Sequence, residues 1–197
     1  MSRPIGTNSK DTKKFIKDIA TKIFEYKGYT ATSMKDIKND THLSKGTIYY
    51  HFKNKEELYL YCLTQSSNEF VNKWRTLSIK ALNAEEKLYS WAKLNSVEHQ
   101  KPLTKTIPEY LVSVKSDEIT SIINMFKPEM DIITEILEEG KRSGEFKADL
   151  NIDNTSIILF NLISSLSDSF FFGYKTQEDQ SNLYSSAIEI FVEGLKA

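Results

Sequence analysis

The feature that most constrains the fold is the spacing of apolar residues, which recur every three or four positions along most of the chain. Near the amino terminus, one such stripe contains Ile16, Ile19, Ala20, Ile23 and Phe24. This spacing puts the apolar side chains on one face of an α-helix, whereas a half-buried strand would alternate. Only 7 Gly and 4 Pro interrupt 197 residues. We therefore predict an all-α fold of about nine helices.

Composition excludes several classes of protein. Apolar residues make up 40% of the chain and charged residues 27%, values that fit neither a disordered chain nor an integral membrane protein. The first thirty residues lack the apolar run of an export signal. Cys62 is the single cysteine, so an intramolecular disulfide and a Cys-rich zinc site are excluded. We expect a cytoplasmic protein with no membrane, metal or cofactor partner.

Charge is distributed unevenly along the chain. Residues 1–61 hold 12 basic and 7 acidic residues, a net charge of +5, whereas the remainder holds 14 basic and 20 acidic residues, a net charge of −6. Random scatter of charges on solvated faces would explain this pattern equally well if it were the only evidence. The alternative is a small polyanion-binding module joined to an acidic body.

Residues 33–58, SMKDIKNDTHLSKGTIYYHFKNKEEL, carry the most informative pattern. Two helices of six to eight residues, joined by a turn of about four, have the dimensions of a helix-turn-helix. The spacing turns four side chains inward: Ile37, Leu43, Ile48 and Phe52. The segment between Lys45 and His51 then faces outward, although its Gly46 costs a helix ~1 kcal/mol. A surface that meets DNA explains this glycine, because it lets the backbone approach the base edges.

The segment LSKGTIYYHF at residues 43–52, followed by KEEL at 55–58, resembles the TetR family of bacterial transcriptional repressors. Gly28, Thr32 and Ile37 also match that family in type and spacing. Two residues depart from its pattern. His42 stands where the family usually has a glycine with positive φ, a conformation that histidine tolerates better than most residues. Lys38 replaces a residue that is usually small.

The resemblance implies a homodimer that binds a palindromic operator and is released by a small-molecule effector. A DNA-binding domain at residues 1–53 would precede a ligand-binding and dimerisation domain at 54–197, with residues 55–77 as the connecting helix. The residues expected to meet DNA are Thr32, Ser33, Ser44, Lys45, Gly46, Thr47, Tyr49, Tyr50, His51 and Lys55.

The body is expected to hold a cavity for the effector. The candidate lining residues, each of which could instead be ordinary core, are Phe70, Trp74, Trp91, Glu98, Tyr110, Phe126 and Met130. Acids in the body could select a cationic ligand, as buried acids do in TetR-like multidrug sensors. The candidate acids are Glu98, Glu109 and Glu118.

The end of the chain is predicted to form two apolar helices, at about residues 153–173 and from Thr176 onward. The first is richer in apolar residues than one interface requires, and Asn161, Asp168 and five serines argue against a membrane. We predict that the two helices form a homodimer interface through Leu159, Ile163, Leu166, Phe170, Tyr184, Ile188 and Phe191.

Helix boundaries are predicted from caps and breakers. Asn54 with Glu57, Asn83 with Glu86, and Thr176 with Asp179 each have the spacing of a capping box. Pro128 is expected to kink or split the helix that begins at residues 116–118, and residues 140–153 are expected to form a loop.

Two other classes of function remain open at this stage. One is a helical enzyme that uses the cavity of the body, and the other is a protein-binding adaptor. An enzyme is disfavoured because His42, His51 and His99 lack the spacing of a metal site or the partners of a catalytic base. An adaptor would bind protein with its helix-turn-helix and would show no salt-dependent affinity for a duplex.

Overall fold

The structure is a computed structural model that describes residues 8–98, 102–114 and 119–197. Within these ranges the fold is all-α, as predicted, and its one β feature is an isolated bridge between Phe146 and Lys196. Short 3₁₀ helices span Thr104–Thr106 and Leu166–Phe172. The described residues form nine α-helices, which are α1 Ser9–Ala31, α2 Met34–Thr41, α3 Lys45–His51, α4 Lys55–Ser78, α5 Ala84–Glu98, α6 Ile107–Ser113, α7 Ile119–Ser143, α8 Ile152–Ser165 and α9 Gln177–Leu195.

Side-chain caps begin the helices where the sequence predicts them. At α9 a complete capping box forms between Thr176 and Asp179. At α4 the Glu57 amide donates to the Asn54 side chain over 2.7 Å, while the Glu57 carboxylate accepts from the Lys53 amide. Each cap satisfies amides that the first helical turn leaves without a partner.

Two predicted boundaries are wrong, and of the two outcomes expected at Pro128, a kink or a split, the split does not occur. Helix α7 continues through Pro128 to Ser143. Gly140 is helical, so the predicted loop 140–153 begins only after Ser143. The Phe146 ring lies where a side chain at Gly140 would stand, so this position has room only for glycine. The predicted helix 153–173 stops being α-helical at Ser165 and continues as a 3₁₀ helix that ends at Gly173, whose φ is +96°.

The chain forms two compact units, Met1–Ser66 with Pro102–Met125, and Ser67–Lys101 with Phe126–Ala197. We call them unit 1 and unit 2. The first half of α4 belongs to unit 1 and the second half to unit 2. Unit 1 therefore extends beyond the predicted DNA-binding domain 1–53, which stays a prediction about function.

Unit 1 is built around four aromatic rings from three helices. The Tyr59 ring of α4 lies 4.9 Å from Phe24 and 4.6 Å from Tyr29, both of α1. The Tyr110 ring of α6 lies 5.0 Å from that of Tyr29. The Tyr59 hydroxyl also bonds Thr106 over 2.8 Å, and burial raises its pKa to about 12. Through these edge-on and tilted ring contacts, α6 packs in the same core as α1.

Unit 2 has a single apolar cluster contributed by α5, α7, α8, α9 and the second half of α4. Its fully buried side chains include Trp91 of α5, Leu137 of α7, Leu159 and Ile163 of α8, and Ile188 of α9. The periodic stripes that predict the helices thus form this core.

One segment, Ile152–Phe172, is long and apolar enough to cross a membrane by length and composition alone. Within it Leu159 and Ile163 are completely buried in the apolar cluster of unit 2, so one side of the segment packs on the protomer's own core.

Candidate nucleic-acid interface

The helix-turn-helix consists of α2 and α3 joined by residues 42–44. Three of the four predicted inward side chains, Ile37, Ile48 and Phe52, are at most 1% exposed, and Leu43 is half-buried. His42 has a φ of 56°, which confirms the positive φ expected at this position. Ser44 begins α3, and its hydroxyl accepts from the Thr47 amide over 3.0 Å. The turn therefore leaves α3 with one face on the core and one face in solvent.

The outer face of α3 is exposed and polar. Tyr50 is 78% exposed and Tyr49 42% exposed, and the Lys45 ammonium lies 5.5 Å from the centre of the Tyr49 ring. His51 is half-buried and stacks edge-on against Tyr50 at 5.0 Å. These groups offer hydroxyl and ammonium donors at one surface, which suits contacts to phosphates and base edges.

Gly46 has no structural requirement inside the chain. Its φ is not positive, and a side chain added there would meet nothing closer than the Ser44 hydroxyl at 3.8 Å. A glycine at this exposed helical position costs stability and fills no packing need. The residue is therefore best explained by a surface that approaches the helix from outside.

Ser33, Ser44 and Thr47 retain partly solvent-accessible hydroxyls that also have partners within the chain. Ser33 caps α2 in a capping box with Asp36, whose pKa is held far below its usual value mainly by the Lys27 ammonium and by Ser33. The hydroxyls of Ser44 and Thr47 share a hydrogen bond of 2.9 Å. These bonds fix the start of each short helix.

Two residues predicted to meet DNA point inward instead. Thr32 is 2% exposed, and its hydroxyl donates to the Gly28 carbonyl over 2.7 Å. The Lys55 ammonium donates to the Tyr29 carbonyl over 2.8 Å and to the Thr30 carbonyl over 3.4 Å. Partial burial lowers the pKa of Lys55. Both groups satisfy carbonyls at the end of α1, where a helix lacks intrahelical donors.

Glu109, predicted as a candidate cation ligand in the body, lies in unit 1. Its carboxylate accepts a hydrogen bond from the Thr30 amide over 3.1 Å. Tyr110, predicted to line the ligand cavity, belongs to the aromatic core of unit 1 and donates to Glu56 over 2.8 Å. Long-range contacts of this kind have no local sequence pattern, so the sequence alone did not reveal them.

The other predicted ligand residues lie in unit 2. Phe70, Trp74, Trp91 and Glu98 are buried there, whereas Phe126 and Met130 are half-buried. The Glu98 carboxylate accepts from the Lys73 ammonium over 2.6 Å. The third candidate acid, Glu118, lies outside the described residues.

Four predicted interface residues are instead core residues of the protomer. Leu159, Ile163, Tyr184 and Ile188 are completely buried in a single chain, so they have no surface to offer a partner. Leu166 and Phe191 are half-buried, and Phe170 is 36% exposed. The large apolar side chains here that are more than half exposed are Ile157, Ile158, Phe171, Phe172 and Ile190. We call these five residues the exposed apolar face.

Sequence periodicity contained a signal for this face. Ile157 and Ile158 lie opposite the stripe that holds Leu159 and Ile163, and a solvated helix rarely has isoleucine on both sides. The stripe of Leu159 and Ile163 is the more continuous one, and the structure places it in the protomer's own core rather than at the predicted dimer interface.

Chemistry other than binding has little support in the described part of the chain. There, no group of three His, Cys, Asp or Glu side chains could hold a metal ion. Burial raises the pKa of the Cys62 thiol to about 11, so this residue packs as a small apolar side chain. His99 lies outside the described residues.

Two family models together match most of the chain. Residues 16–62 match the model of the bacterial regulatory proteins of the tetR family, and residues 66–197 match that of the QacR-like protein C-terminal region. The transcriptional regulator QacR of Staphylococcus aureus is 28% identical over 180 residues, which cover 90% of this chain and 94% of QacR.

Fatty acid regulators are also similar. The fatty acid metabolism regulator protein of Bacillus subtilis is 24% identical and covers 90% of this chain and 92% of its own length. The fatty acid degradation regulator FadR from Bacillus halodurans superposes with a TM-score of 0.81 at 20% identity, covering 99% of this chain and 98% of its own. At that identity the likeness concerns the fold alone.

Proposed function

The chain belongs to the tetR family of bacterial regulatory proteins, and from this premise we propose that it is a cytoplasmic, ligand-responsive repressor that binds a palindromic operator as a homodimer. The observation that carries the proposal is the outer face of α3. It combines exposed Lys45, Tyr49 and Tyr50 with Gly46, which nothing inside the chain requires. Each subunit would place α3 in a major groove, so a two-fold dimer would match a palindrome.

The test begins with a pool of genomic DNA fragments retained by the purified protein. We expect the retained fragments to share a palindrome, and affinity for it to fall as salt rises because phosphate contacts release counterions. No retained duplex, or binding without salt dependence, would contradict the proposal and favour a protein-binding adaptor. Turnover of a substrate by the body would favour an enzyme.

Gly46→Ala is expected to make the protein more stable and to weaken its binding to DNA. The free energy of unfolding should rise by ~0.5–1 kcal/mol, because alanine is the better helix former and meets no clash. Operator affinity should nevertheless fall by ~10-fold or more, since the new methyl group would keep the backbone away from the base edges.

Gly194→Ala provides the matched control. Gly194 lies in the last turns of α9, and an added side chain would meet nothing within 4 Å. This variant should be as stable as Gly46→Ala or more so, and should bind the operator like the wild type. Unfolding curves and fluorescence anisotropy measure both quantities, and wild-type affinity of Gly46→Ala would refute the role of α3.

Lys53 and Lys55 are expected to respond differently to alanine substitution. Lys53 is exposed two residues before α4, and its loss should reduce the salt slope of operator binding by about one counterion. Lys55 donates to the carbonyls that end α1, so Lys55→Ala should cost ~1–3 kcal/mol of stability and leave the slope unchanged. Titrations at several salt concentrations measure the slopes. A reduced salt slope for Lys55→Ala would show instead that the Lys55 side chain contacts a DNA phosphate.

We assign dimerisation to the exposed apolar face. Its five large side chains lie on α8, α9 and the 3₁₀ helix between them, each at least 54% exposed. Leaving such side chains in water costs free energy, and a second copy of the same face would cover them. Two helices from each subunit would then form a four-helix bundle. Asn161 and Asp168 within Ile152–Phe172 favour a protein partner over a lipid bilayer.

A hydrophobic cation is the effector class that unit 2 favours. Two carboxylates, of Glu98 and Glu129, are buried there at 6% and 8% exposure. Within the chain Glu98 accepts from the Lys73 ammonium and Glu129 from the Ser67 hydroxyl, so a ligand cation would replace Lys73 or add a second positive charge beside these acids. The aromatic rings of Phe70, Trp74 and Trp91 are buried in the same unit and would contact the apolar part of the ligand.

Glu98→Gln is expected to weaken binding of the lipophilic cation tetraphenylphosphonium by ~10-fold, the loss of one charge interaction of ~1.4 kcal/mol. Glu138→Gln serves as the control, because Glu138 is exposed on α7 of the same unit. Calorimetry measures both. Stearoyl-CoA, which one FadR structure holds, is the competing probe. Tight binding of stearoyl-CoA with no affinity for the cation would overturn the cation proposal.

A further inference from the structure

Glu109 makes a contact that neither its helix nor the core of unit 1 requires. It lies on α6, and its carboxylate accepts from the Thr30 amide 79 residues earlier in the chain, over 3.1 Å. Thr30 is the second-last residue of α1, and Ser33 begins α2 only three positions later. The contact therefore falls on the backbone that leads from α1 into the helix-turn-helix.

Gly28 makes room for this carboxylate. A side chain at Gly28 would stand 2.5 Å from one Glu109 carboxylate oxygen, closer than real contacts allow. Gly28 also has a φ of +81°, which interrupts α1 and redirects the chain toward α2. The glycine thus serves both the turn of the backbone and the approach of Glu109.

Further bonds anchor the same stretch of backbone. The Lys55 ammonium donates to the Tyr29 and Thr30 carbonyls and lies 4.1 Å from the centre of the Tyr29 ring. Tyr110, beside Glu109 on α6, donates to Glu56, beside Lys55 on α4. Adjacent residues of α6 therefore bond to the end of α1 and to the start of α4.

The chain connects this region to unit 2 at three places. It passes from unit 1 to unit 2 within α4, returns at residue 102 and leaves again after residue 125. Two of these three crossings bound the segment that contains Glu109. Because Glu109 bonds the Thr30 amide, a shift of α6 relative to α1 would displace the α1–α2 junction or break this contact.

We propose that Glu109 is a positioning residue that holds the α1–α2 junction, and with it α3, in the orientation that fits the operator. The inference rests on the repressor function proposed above. Without the contact, α3 samples a wider range of orientations, and only the fraction that fits the operator binds it. In this role Glu109 acts through the Thr30 backbone to which it bonds.

The test compares Glu109→Ala with Glu109→Gln, whose side-chain carbonyl still accepts from the Thr30 amide. Val112→Ser is the control, because Val112 lies on the same helix and is 89% exposed. We expect Glu109→Ala to bind the operator about 3- to 10-fold more weakly, as expected for one lost hydrogen bond, with an unchanged salt slope. Glu109→Gln should recover at least half of the loss, and Val112→Ser should match the wild type.

A second measurement needs no DNA. Hydrogen exchange of the Thr30 amide, followed by NMR, should accelerate in Glu109→Ala, and the amide shifts of residues 45–51 should change while helix content does not. Wild-type exchange and shifts in that variant overturn the inference whether or not the protein binds a duplex. Wild-type operator affinity also overturns it, and leaves the repressor function intact. If the wild type retains no duplex, the repressor function fails and the exchange experiment alone decides whether Glu109 positions α3.

Discussion

The double substitution Ile158→Asp, Ile190→Asp is expected to convert the dimer into a folded monomer that no longer binds the operator tightly. These side chains are 58% and 77% exposed, so the monomer keeps its core when they change. At the centre of a dimer interface, however, each carboxylate would lose its water without gaining a partner, a cost of several kcal/mol per charge. Losing the second recognition helix should then weaken operator binding by ~100-fold or more.

Analytical ultracentrifugation and circular dichroism measure the mass and the helix content of this double variant. Ile79→Asp is the control, because Ile79 is 83% exposed in the connection between α4 and α5, away from the exposed apolar face in sequence. It should remain dimeric and bind DNA normally. A stable dimer of the Ile158→Asp, Ile190→Asp variant that still holds the operator would place the interface elsewhere.

Ile188→Asp is expected to unfold unit 2 rather than separate the subunits. Ile188 is completely buried in the apolar cluster that α9 shares with α5, α7 and α8. An aspartate there would leave a charged or protonated carboxyl without water or partner, and would also remove the packing of the isoleucine side chain. Together these effects should cost ~4 kcal/mol or more, a large share of the stability of a domain of this size.

Denaturant unfolding followed by circular dichroism checks this prediction. Ile188→Val is the matched control, because it removes only one methylene group and should cost ~0.5–1.5 kcal/mol. The contrast with Ile190, two residues away on the same helix, makes the experiment decisive. A folded, monomeric Ile188→Asp would show that the interface uses the stripe that the structure places in the core.

Local sequence determines much of the recognition element. Ser33 and Ser44 cap α2 and α3, and the positive φ of His42 follows from the turn between them. Caps, turns and apolar spacing act within a few residues, so the sequence shows them directly. The same holds for the capping box of α9 at Thr176 and Asp179.

The sequence does not show which apolar side chains of α8 and α9 pack in the protomer's own core and which face a second subunit. The sequence identified the apolar stripes of α8 and α9, but it could not distinguish a stripe that packs on the protomer from one that packs on a second copy. Both burials have the same driving force, which is the removal of apolar area from water. Only the positions of α5 and α7 assign Leu159 and Ile188 to the protomer's own core.

The sequence by itself determined an all-α chain, its helix starts and the outward face of α3, because these depend on contacts within one or two helical turns. Only the tertiary structure shows the hydrogen bonds that Lys55, Glu109 and Tyr110 make to residues 26 to 79 positions away. Such contacts depend on which helices pack together in the tertiary structure, and the spacing of residues along the sequence does not show this. A charged side chain therefore looks the same in the sequence whether it meets a phosphate, a ligand or the end of another helix.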